Sequence, residues 1–309
     1  MKLNPENISP RHSRHGFSLI ELLVVIVIIG ILMALILPAL NGARIRARIT
    51  QVSTEISQLD NGIAKFKSAY NIEPPSSLYV PPIGGSWNAA DRSKVRSIWP
   101  QFDFATNGGL GAGDFHLNGA ECLVFFLGGV EDATTTPPLV LGFSKNPRFP
   151  WSPAGTNREG PFYEFENGRF VDVDSDSLLE YIDPLPDQKT PYAYFSSQGR
   201  SYTLVNDVDP MRTLLSDQDD FDIHGGTANL SDFSVVYLKT QTPAIPHRPD
   251  SFQIISPGID FSYGVGGVYS DGSELVDRDL DSNSTLDPNE LRAVEADNIT
   301  NFSGGPLAP

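Results

Sequence analysis

A short acidic segment near the C-terminus has the residue spacing of a calcium-binding loop. Calcium prefers oxygen ligands, and a twelve-residue loop supplies them from positions 1, 3, 5, 7, 9 and 12. In the segment 279–290, a residue that offers oxygen fills each of those positions. The side-chain ligands would be Asp279, Asp281, Asn283, Asp287 and Glu290, and the backbone carbonyl of Thr285 would take position 7. The spacing therefore predicts a calcium site.

Two features of this acidic segment differ from a helix–loop–helix calcium site. Position 6 is Ser284, where a glycine normally permits the sharp turn, and the preceding residues 264–273 have no helical pattern. The alternative is a solvated acidic loop. However, nine acids and two arginines lie between Asp271 and Asp297, and that many like charges repel one another without a cation. The sequence leaves both interpretations open.

A single carboxylate lies at the start of a long apolar run. Glu21 precedes the segment 22–40, which contains no charged or hydrogen-bonding side chain. An acid within an apolar span is costly and usually indicates a specific partner. A position at the depth of the lipid headgroups is the alternative. Glu21 is therefore a candidate functional residue.

The chain contains no familiar catalytic motif, so an enzyme is not expected. It has no His-Glu-x-x-His, Gly-x-Ser-x-Gly, Gly-x-x-x-x-Gly-Lys or Cys-x-x-Cys sequence. His116, His224 and His247 are far apart in the sequence. A site for a metal on these three remains open, but surface or partly buried histidines are the simpler interpretation. The glycines of the segment 264–267 are expected to form a turn rather than a nucleotide site.

The apolar run is long enough to cross a membrane. As a helix rising about 1.5 Å per residue, residues 17–40 span a hydrocarbon core of about 30 Å. The preceding residues carry three basic side chains and one acid, which predicts a cytoplasmic N-terminus. The arginines at 44, 46 and 48 on the far side oppose that orientation. A secretory signal peptide is the alternative, but no Ala-x-Ala cleavage site follows the run, so it is predicted to be retained.

The beginning of the apolar run resembles a known processing motif. Residues 16–21, GFSLIE, and the LLVVI that follows resemble the cleavage site of bacterial type IV prepilins and type II secretion pseudopilins. The resemblance implies that a prepilin peptidase cuts after Gly16 and that the new N-terminal Phe17 is methylated. It implies that Glu21 then pairs with the terminal amine of a neighbouring subunit, and a buried charge is tolerable when an opposite charge meets it. Pro38 lies where these proteins commonly have a proline.

The same resemblance implies a set of partners and a location. The partners would be prepilin peptidase, other pseudopilin subunits in a homo- or hetero-oligomeric filament, an inner-membrane assembly platform and membrane lipid. The protein would cross the inner membrane once, with a cytoplasmic N-terminus and a periplasmic head, and would assemble into a periplasmic pseudopilus. Nucleic acid is not expected, because the net charge of −16 opposes phosphate binding.

Apolar residues after Pro38 continue a helical pattern. They recur at spacings of four and three and form a stripe on one helix face: Val52, Ile56, Leu59, Ile63, Phe66 and Tyr70. Polar residues such as Glu55 are expected to lie largely off this stripe. Pro74-Pro75 is expected to end the helix. One helix of about 55 residues is predicted, with Gly30, Pro38 and 41–42 as candidate kinks.

The remainder is predicted to be an α+β head, in which the helix packs on an antiparallel sheet. Residues 74–114 are expected to form a long loop, and 120–127 a short buried element with helix favoured, in which Cys122 packs as a small hydrophobe. The Asn167-Gly168 pair predicts a hairpin between 162–165 and 169–173. Further strands are predicted at 192–196, 202–205, 233–238 and 252–255.

The predicted organisation is a leader (1–16), a membrane or filament-core segment (17–40), an amphipathic segment (41–73) and a head (74–309). The segments PYAY, from Pro191, and SFQIISPG, from Ser251, resemble the C-terminal region of the G-type major pseudopilin. Residues around 74–190 would then be an insert. G-type pseudopilins carry a C-terminal calcium site, which favours the metal interpretation of the acidic segment.

The sequence therefore predicts a structural subunit, a pseudopilin of a type II secretion pseudopilus. The alternatives are a type IV pilin for adhesion or motility and a membrane-tethered periplasmic binding protein with a pilin-like anchor. Many type IV pilins close a C-terminal loop with a cysteine pair, and Cys122 is the single cysteine here. The tip pseudopilin characteristically lacks the acid that Glu21 supplies, which argues against a tip role.

Overall fold

A computed structural model describes most of the chain after the predicted leader. It covers residues 18–111, 113–132, 135, 139–173, 176–197, 202, 235–241, 243–264, 266–270, 275 and 292–308. The chain divides into two compact units, Met1–Ala47 and Arg48–Pro309. The predicted α+β class is confirmed, with a long apolar N-terminal helix and antiparallel β-sheets in the second unit.

The predicted long helix is helix α1, Leu19–Tyr70, which has 52 residues. It is helical throughout, including the three predicted kink positions at Gly30, Pro38 and 41–42. It ends earlier than predicted, because Asn71 takes a left-handed conformation with φ of 61° and donates its backbone N–H to the carbonyl of Lys67 at 2.7 Å. An asparagine in this conformation is a common helix terminator.

The head contains two further helices and fourteen short strands within the described residues. The helices are α2 (Ala89–Ile98) and α3 (Gly119–Gly128). The strands are β1 (Leu78–Val80), β2 (Phe115–Leu117), β3 (Glu131–Asp132), β4 (Leu139–Val140), β5 (Phe143–Ser144), β6 (Arg158–Glu159), β7 (Phe170–Val171), β8 (Glu180–Tyr181), β9 (Ala193–Ser196), β10 (Val235–Gln241), β11 (Ala244–Pro246), β12 (Phe252–Ser256), β13 (Gly266–Val268) and β14 (Ile299–Thr300).

The strands form several small sheets. One has the order β14-β12-β9 and is antiparallel, with Ile254 opposite Tyr194. The two segments that resemble the G-type pseudopilin therefore pair with each other. A second sheet has the order β11-β10-β13, in which β10 and β13 run parallel. Four antiparallel pairs complete the set: β1-β2, β3-β4, β5-β6 and β7-β8.

The main hydrophobic core forms along the predicted stripe of α1. Val52, Ile56, Leu59, Ile63 and Phe66 are all at most 2% exposed. Helix α3 packs in the same core and begins with a capping box, in which Asn118 and Glu121 each accept the other's backbone N–H. The predicted helix at 120–127 is confirmed, and Cys122 is buried within it.

The predicted loop at 74–114 was wrong over residues 78–80, which form β1, and over residues 89–98, which form α2. The side chain of Asn88 accepts the backbone N–H of Asp91 at 2.7 Å and so caps the first turn. Val95 and Ile98 are buried at helical spacing. This short signal was concealed by the prolines, glycines and serines on either side of it.

The predicted hairpin around Asn167-Gly168 was also wrong. Phe162, Tyr163 and Phe165 are all buried in the core, so this segment does not alternate between two faces as a half-buried strand would. Phe162 donates its backbone N–H to the carbonyl of Leu127 at the end of α3, at 2.7 Å. Strand β7 pairs instead with β8, and residues 167–169 form a turn of 3₁₀ helix.

Candidate functional site

The apolar part of α1 exposes its side chains. Leu19–Ile36 has a mean hydropathy of 3.2 and is, within the described residues, the one helical stretch long and apolar enough to cross a membrane. Its large side chains are 43–82% exposed, and Leu19 and Leu35 are the most exposed of them. Burial in lipid or against other apolar helices would remove this surface from water. The helix is therefore consistent with a single-pass membrane anchor.

Ser18 and Glu21 form a capping box at the start of α1. The backbone N–H of Ser18 donates to Oε2 of Glu21 at 2.8 Å, and the backbone N–H of Glu21 donates to Oγ of Ser18 at 3.2 Å. This arrangement satisfies two backbone donors that a helix leaves without partners. It also holds the Glu21 carboxylate beside the backbone of residue 18, where the helix dipole favours a negative charge.

The predicted processing and assembly residues also include Gly16, Phe17 and Pro38. Gly16 and Phe17 lie outside the described residues. Pro38 lies within α1, inside the apolar part of the helix. Ser18, the hydrogen-bond partner of Glu21, directly follows Phe17 in the sequence.

Residues 11–37 match the family model of the prokaryotic N-terminal methylation motif. The N-terminal region of this chain is prepilin-like. Two curated relatives are similar over the same part of the chain. The type II secretion system core protein G of Klebsiella michiganensis is 40% identical over 57 residues, and the type IV wide pilus major component of Thermus thermophilus is 47% identical over 58 residues.

The similarity to these relatives is confined to the N-terminal region. The matched residues are 18% and 19% of this chain, and they cover 40% and 41% of the two relatives. The similarity to prepilins therefore rests on the motif and the apolar helix, and it does not extend to the head. No solved structure matches the chain.

A second polar arrangement lies on the buried face of α1, at Glu55. The carboxylate of Glu55 receives both terminal guanidinium nitrogens of Arg169, with Nη1 at 2.8 Å from Oε2. It also accepts hydrogen bonds from three tyrosine hydroxyls: Tyr163 at 3.0 Å, Tyr181 at 3.2 Å and Tyr192 at 2.7 Å. Five donors thus converge on one buried acid.

The tyrosines around Glu55 are fixed as neutral donors. Burial, with the charge of Glu55 as a smaller contribution, raises the pKa of Tyr181 to about 12 and raises the pKa of both Tyr163 and Tyr192 well above the usual value. A charged carboxylate with this many partners is tolerable in a core. The cluster therefore attaches the segments around Tyr163, Arg169, Tyr181 and Tyr192 to α1.

Sequence reasoning missed the Glu55 cluster, because Glu55 was expected off the apolar stripe. It lies three residues after Val52 and four before Leu59, and those spacings place it on the same helix face as both. An acid on the buried stripe was the signal, because such an acid requires a cation or several hydrogen-bond donors from elsewhere in the chain.

The six predicted calcium ligands, Asp279, Asp281, Asn283, Thr285, Asp287 and Glu290, lie outside the described residues. The residues that flank them are described. Arg292 and Glu295 form a buried ion pair at 2.7 Å. Oε1 of Glu295 accepts the backbone N–H of Gly266 at 2.9 Å, and Nη1 of Arg292 donates to the carbonyl of Val268 at 2.7 Å.

These contacts join the residues before the acidic segment to the residues after it. Gly264 has φ of 67°, and a Cβ there would lie 2.4 Å from Cγ of Glu295, so the close approach requires glycine. The predicted turn at 264–267 is in part a strand, because β13 begins at Gly266.

The predicted histidines have separate surroundings. His116 stacks on Tyr79 with ring centroids 4.3 Å apart, and His247 stacks on Phe302 at the same separation. His224 lies outside the described residues. Among the residues that the structure describes, no group of three or more His, Cys, Asp or Glu side chains is placed to hold a metal.

Proposed function

We propose that this protein is a pilin-type filament subunit, and more specifically a pseudopilin of a type II secretion pseudopilus. The observation that carries the proposal is the match to the N-terminal methylation motif at 11–37. Glu21, within this motif, lies in the first turn of a helix whose apolar side chains are exposed. The protein would cross the bacterial inner membrane once, with its N-terminus in the cytoplasm and its head in the periplasm.

Processing would create the charge that Glu21 needs. Hydrolysis of the peptide bond between Gly16 and Phe17 by prepilin peptidase leaves a terminal amine on Phe17, and N-methylation keeps that amine basic. In a filament core with little water, the Glu21 carboxylate of one subunit would neutralise the Phe17 ammonium of a neighbour. The exposed apolar side chains of Leu19–Ile36 would pack against those of other subunits on an inner-membrane assembly platform.

A type IV pilin is the second candidate, because the similarity to the Thermus thermophilus wide pilus component supports it as directly as the Klebsiella michiganensis relative supports secretion. Deletion of the gene distinguishes the two. Loss of proteins from the culture medium with normal surface filaments supports the pseudopilin. Loss of surface filaments with normal secretion supports the pilin. If secretion and surface filaments both stay normal, a membrane-tethered periplasmic binding protein is favoured.

Calcium binding by the acidic segment is part of this proposal. The residues that flank the segment on its two sides contact each other, Gly266 with Glu295 and Val268 with Arg292, and these contacts support it. A bound calcium ion would offset the repulsion among the acids of residues 271–297. The proposed role is structural and includes no catalysis.

A further inference from the structure

Three arginines directly follow the apolar part of α1 in a chain that is otherwise strongly acidic. Arg44, Arg46 and Arg48 lie on α1 and are exposed. No acid occurs between Glu21 and Glu55, and the Glu55 carboxylate is already bonded to Arg169. Arg44 and Arg48 form no ion pair with any residue in the described part of the chain. This stretch therefore concentrates positive charge in a protein of net charge −16.

The helical rise places these arginines at a defined depth. The apolar run ends at Leu40, and a helix rises about 1.5 Å per residue, so Arg44 to Arg48 lie roughly 6–12 Å beyond it. The headgroup layer adds about 5–8 Å to each side of the hydrocarbon core. Arginine side chains are long enough to reach the remaining distance. A membrane-spanning α1 therefore brings the three guanidinium groups to the level of the lipid phosphates.

We propose that Arg44, Arg46 and Arg48 bind the phosphate groups of anionic phospholipids in the leaflet nearer to the head. The inference rests on the membrane insertion of α1 proposed above. Guanidinium groups bind phosphate oxygens through paired N–H donors, and basic residues next to a membrane attract anionic lipids. The three arginines surround the helix, since Arg44 and Arg48 share one face and Arg46 lies on another. Several lipids would therefore be bound at once.

The test measures which lipids surround the helix. A Leu40→Trp variant of the full chain places an indole beside the arginines, and phospholipids brominated in their acyl chains quench it on contact. Quenching is compared in two kinds of vesicle, both with few protein copies. In the first, the phosphatidylglycerol is brominated and the phosphatidylcholine is not. In the second, the phosphatidylcholine is brominated and the phosphatidylglycerol is not. We expect phosphatidylglycerol to be enriched about fivefold over phosphatidylcholine in contact with the helix, which is the effect of one basic residue at an anionic surface. The enrichment should be smaller at high salt.

Two variants separate the arginines from general charge. The triple variant Arg44→Gln, Arg46→Gln, Arg48→Gln should bring the preference close to one. Lys65→Gln removes an exposed positive charge from the same helix, about 25 Å beyond Arg48 along its axis, and should leave the preference unchanged.

The outcomes distinguish this proposal from the function on which it rests. If neither brominated lipid quenches the indole introduced by Leu40→Trp, α1 is not inserted and the membrane anchor itself fails. If both lipids quench equally, the anchor stands and the lipid proposal is overturned. Cross-linking between subunits is measured in the same vesicles. If there is no preference for phosphatidylglycerol and the triple variant weakens this cross-linking, the arginines bind acids of a neighbouring copy, and the lipid proposal is overturned.

Discussion

Arg169 and Glu55 lie 114 residues apart in the sequence and meet as a bidentate ion pair on the buried face of α1. The guanidinium also lies over the ring of Tyr181, 4.4 Å from its centroid. Through this pair the segment before β7 is attached to the amphipathic half of the helix. The position of the head on α1 therefore depends on a polar contact as well as on the apolar stripe.

Removal of the Glu55 carboxylate should destabilise the head strongly. Glu55→Ala removes the buried acceptor of Arg169 and of three tyrosine hydroxyls and leaves Arg169 with the exposed Glu166 as an ion-pair partner; breaking a buried pair costs about 3–5 kcal/mol. Urea unfolding of the full chain in detergent, followed by tryptophan fluorescence, measures the loss. Lys145→Ala is the matched control, because its pair with Glu159 is exposed and contributes about 0–1 kcal/mol. Equal unfolding midpoints for Glu55→Ala and the wild type would show that the cluster has no stabilising role.

The buried carboxyl group of Asp183 should make stability depend on pH. Burial raises its pKa to about 6, although Ser256, Leu185 and Gln188 donate hydrogen bonds that oppose the shift. The unfolded pKa is about 3.9, so the stabilising contribution is present at low pH and disappears as pH rises through about 6. Stability should fall by roughly 2–3 kcal/mol between pH 4 and pH 7 from this group.

Asp183→Asn is the variant that tests this pH dependence. The amide does not titrate, so the difference in unfolding free energy between the variant and the wild type should change across pH 4–7. A difference that stays constant over that range would mean that Asp183 is already charged in the folded protein at low pH.

Processing of the N-terminus gives a direct chemical prediction. Protein extracted from the membranes of its own host should begin at Phe17 and carry one added methyl group, because cleavage after Gly16 exposes the amine that is modified. Intact mass and N-terminal peptide sequencing measure both changes. A mature chain that begins near Ala43 or later would instead identify the apolar run as a cleaved signal peptide.

The charge of Glu21 should matter for assembly more than for insertion. Glu21→Ala should leave membrane insertion and cleavage intact and lower the yield of filaments, because the Phe17 amine of a neighbour would lack its partner. Electron microscopy of sheared filaments at native expression measures the yield. Ser18→Ala is the matched control, since it breaks the capping box and keeps the acid. An equal loss in both variants would assign the effect to the helix cap, and normal filaments in Glu21→Ala would exclude an assembly role for the acid.

The sequence was most informative where one physical requirement dominates a segment. Helix α1 and its buried stripe were predicted because length, apolarity and spacing all agree. The strands β9 and β12 were predicted at 192–196 and 252–255, and they pair with each other. The segment around Phe162 and Tyr163 was predicted wrongly as a strand, since an aromatic run satisfies several structures. The Glu55–Arg169 pair depends on a contact between distant segments, and no local pattern encodes that contact.

The acidic segment should bind calcium through Asp279, Asp281, Asn283, Asp287, Glu290 and the Thr285 carbonyl. A ligand that binds the folded state alone raises stability, by about 2.7 kcal/mol at a hundredfold excess over its Kd. Millimolar calcium should therefore raise the Tm of the full chain in detergent, and chelator should reverse the shift. Magnesium should do less, because it requires a stricter octahedral geometry. Asp279→Ala and Asp281→Ala should each abolish the shift. Asp271→Ala removes a negative charge shortly before the segment, outside the ligand pattern, and this variant should keep the calcium-dependent rise in Tm. A Tm that responds to neither calcium nor chelator would assign the segment to solvated surface, and an equal response in Asp271→Ala and Asp279→Ala would reduce the effect to general charge screening.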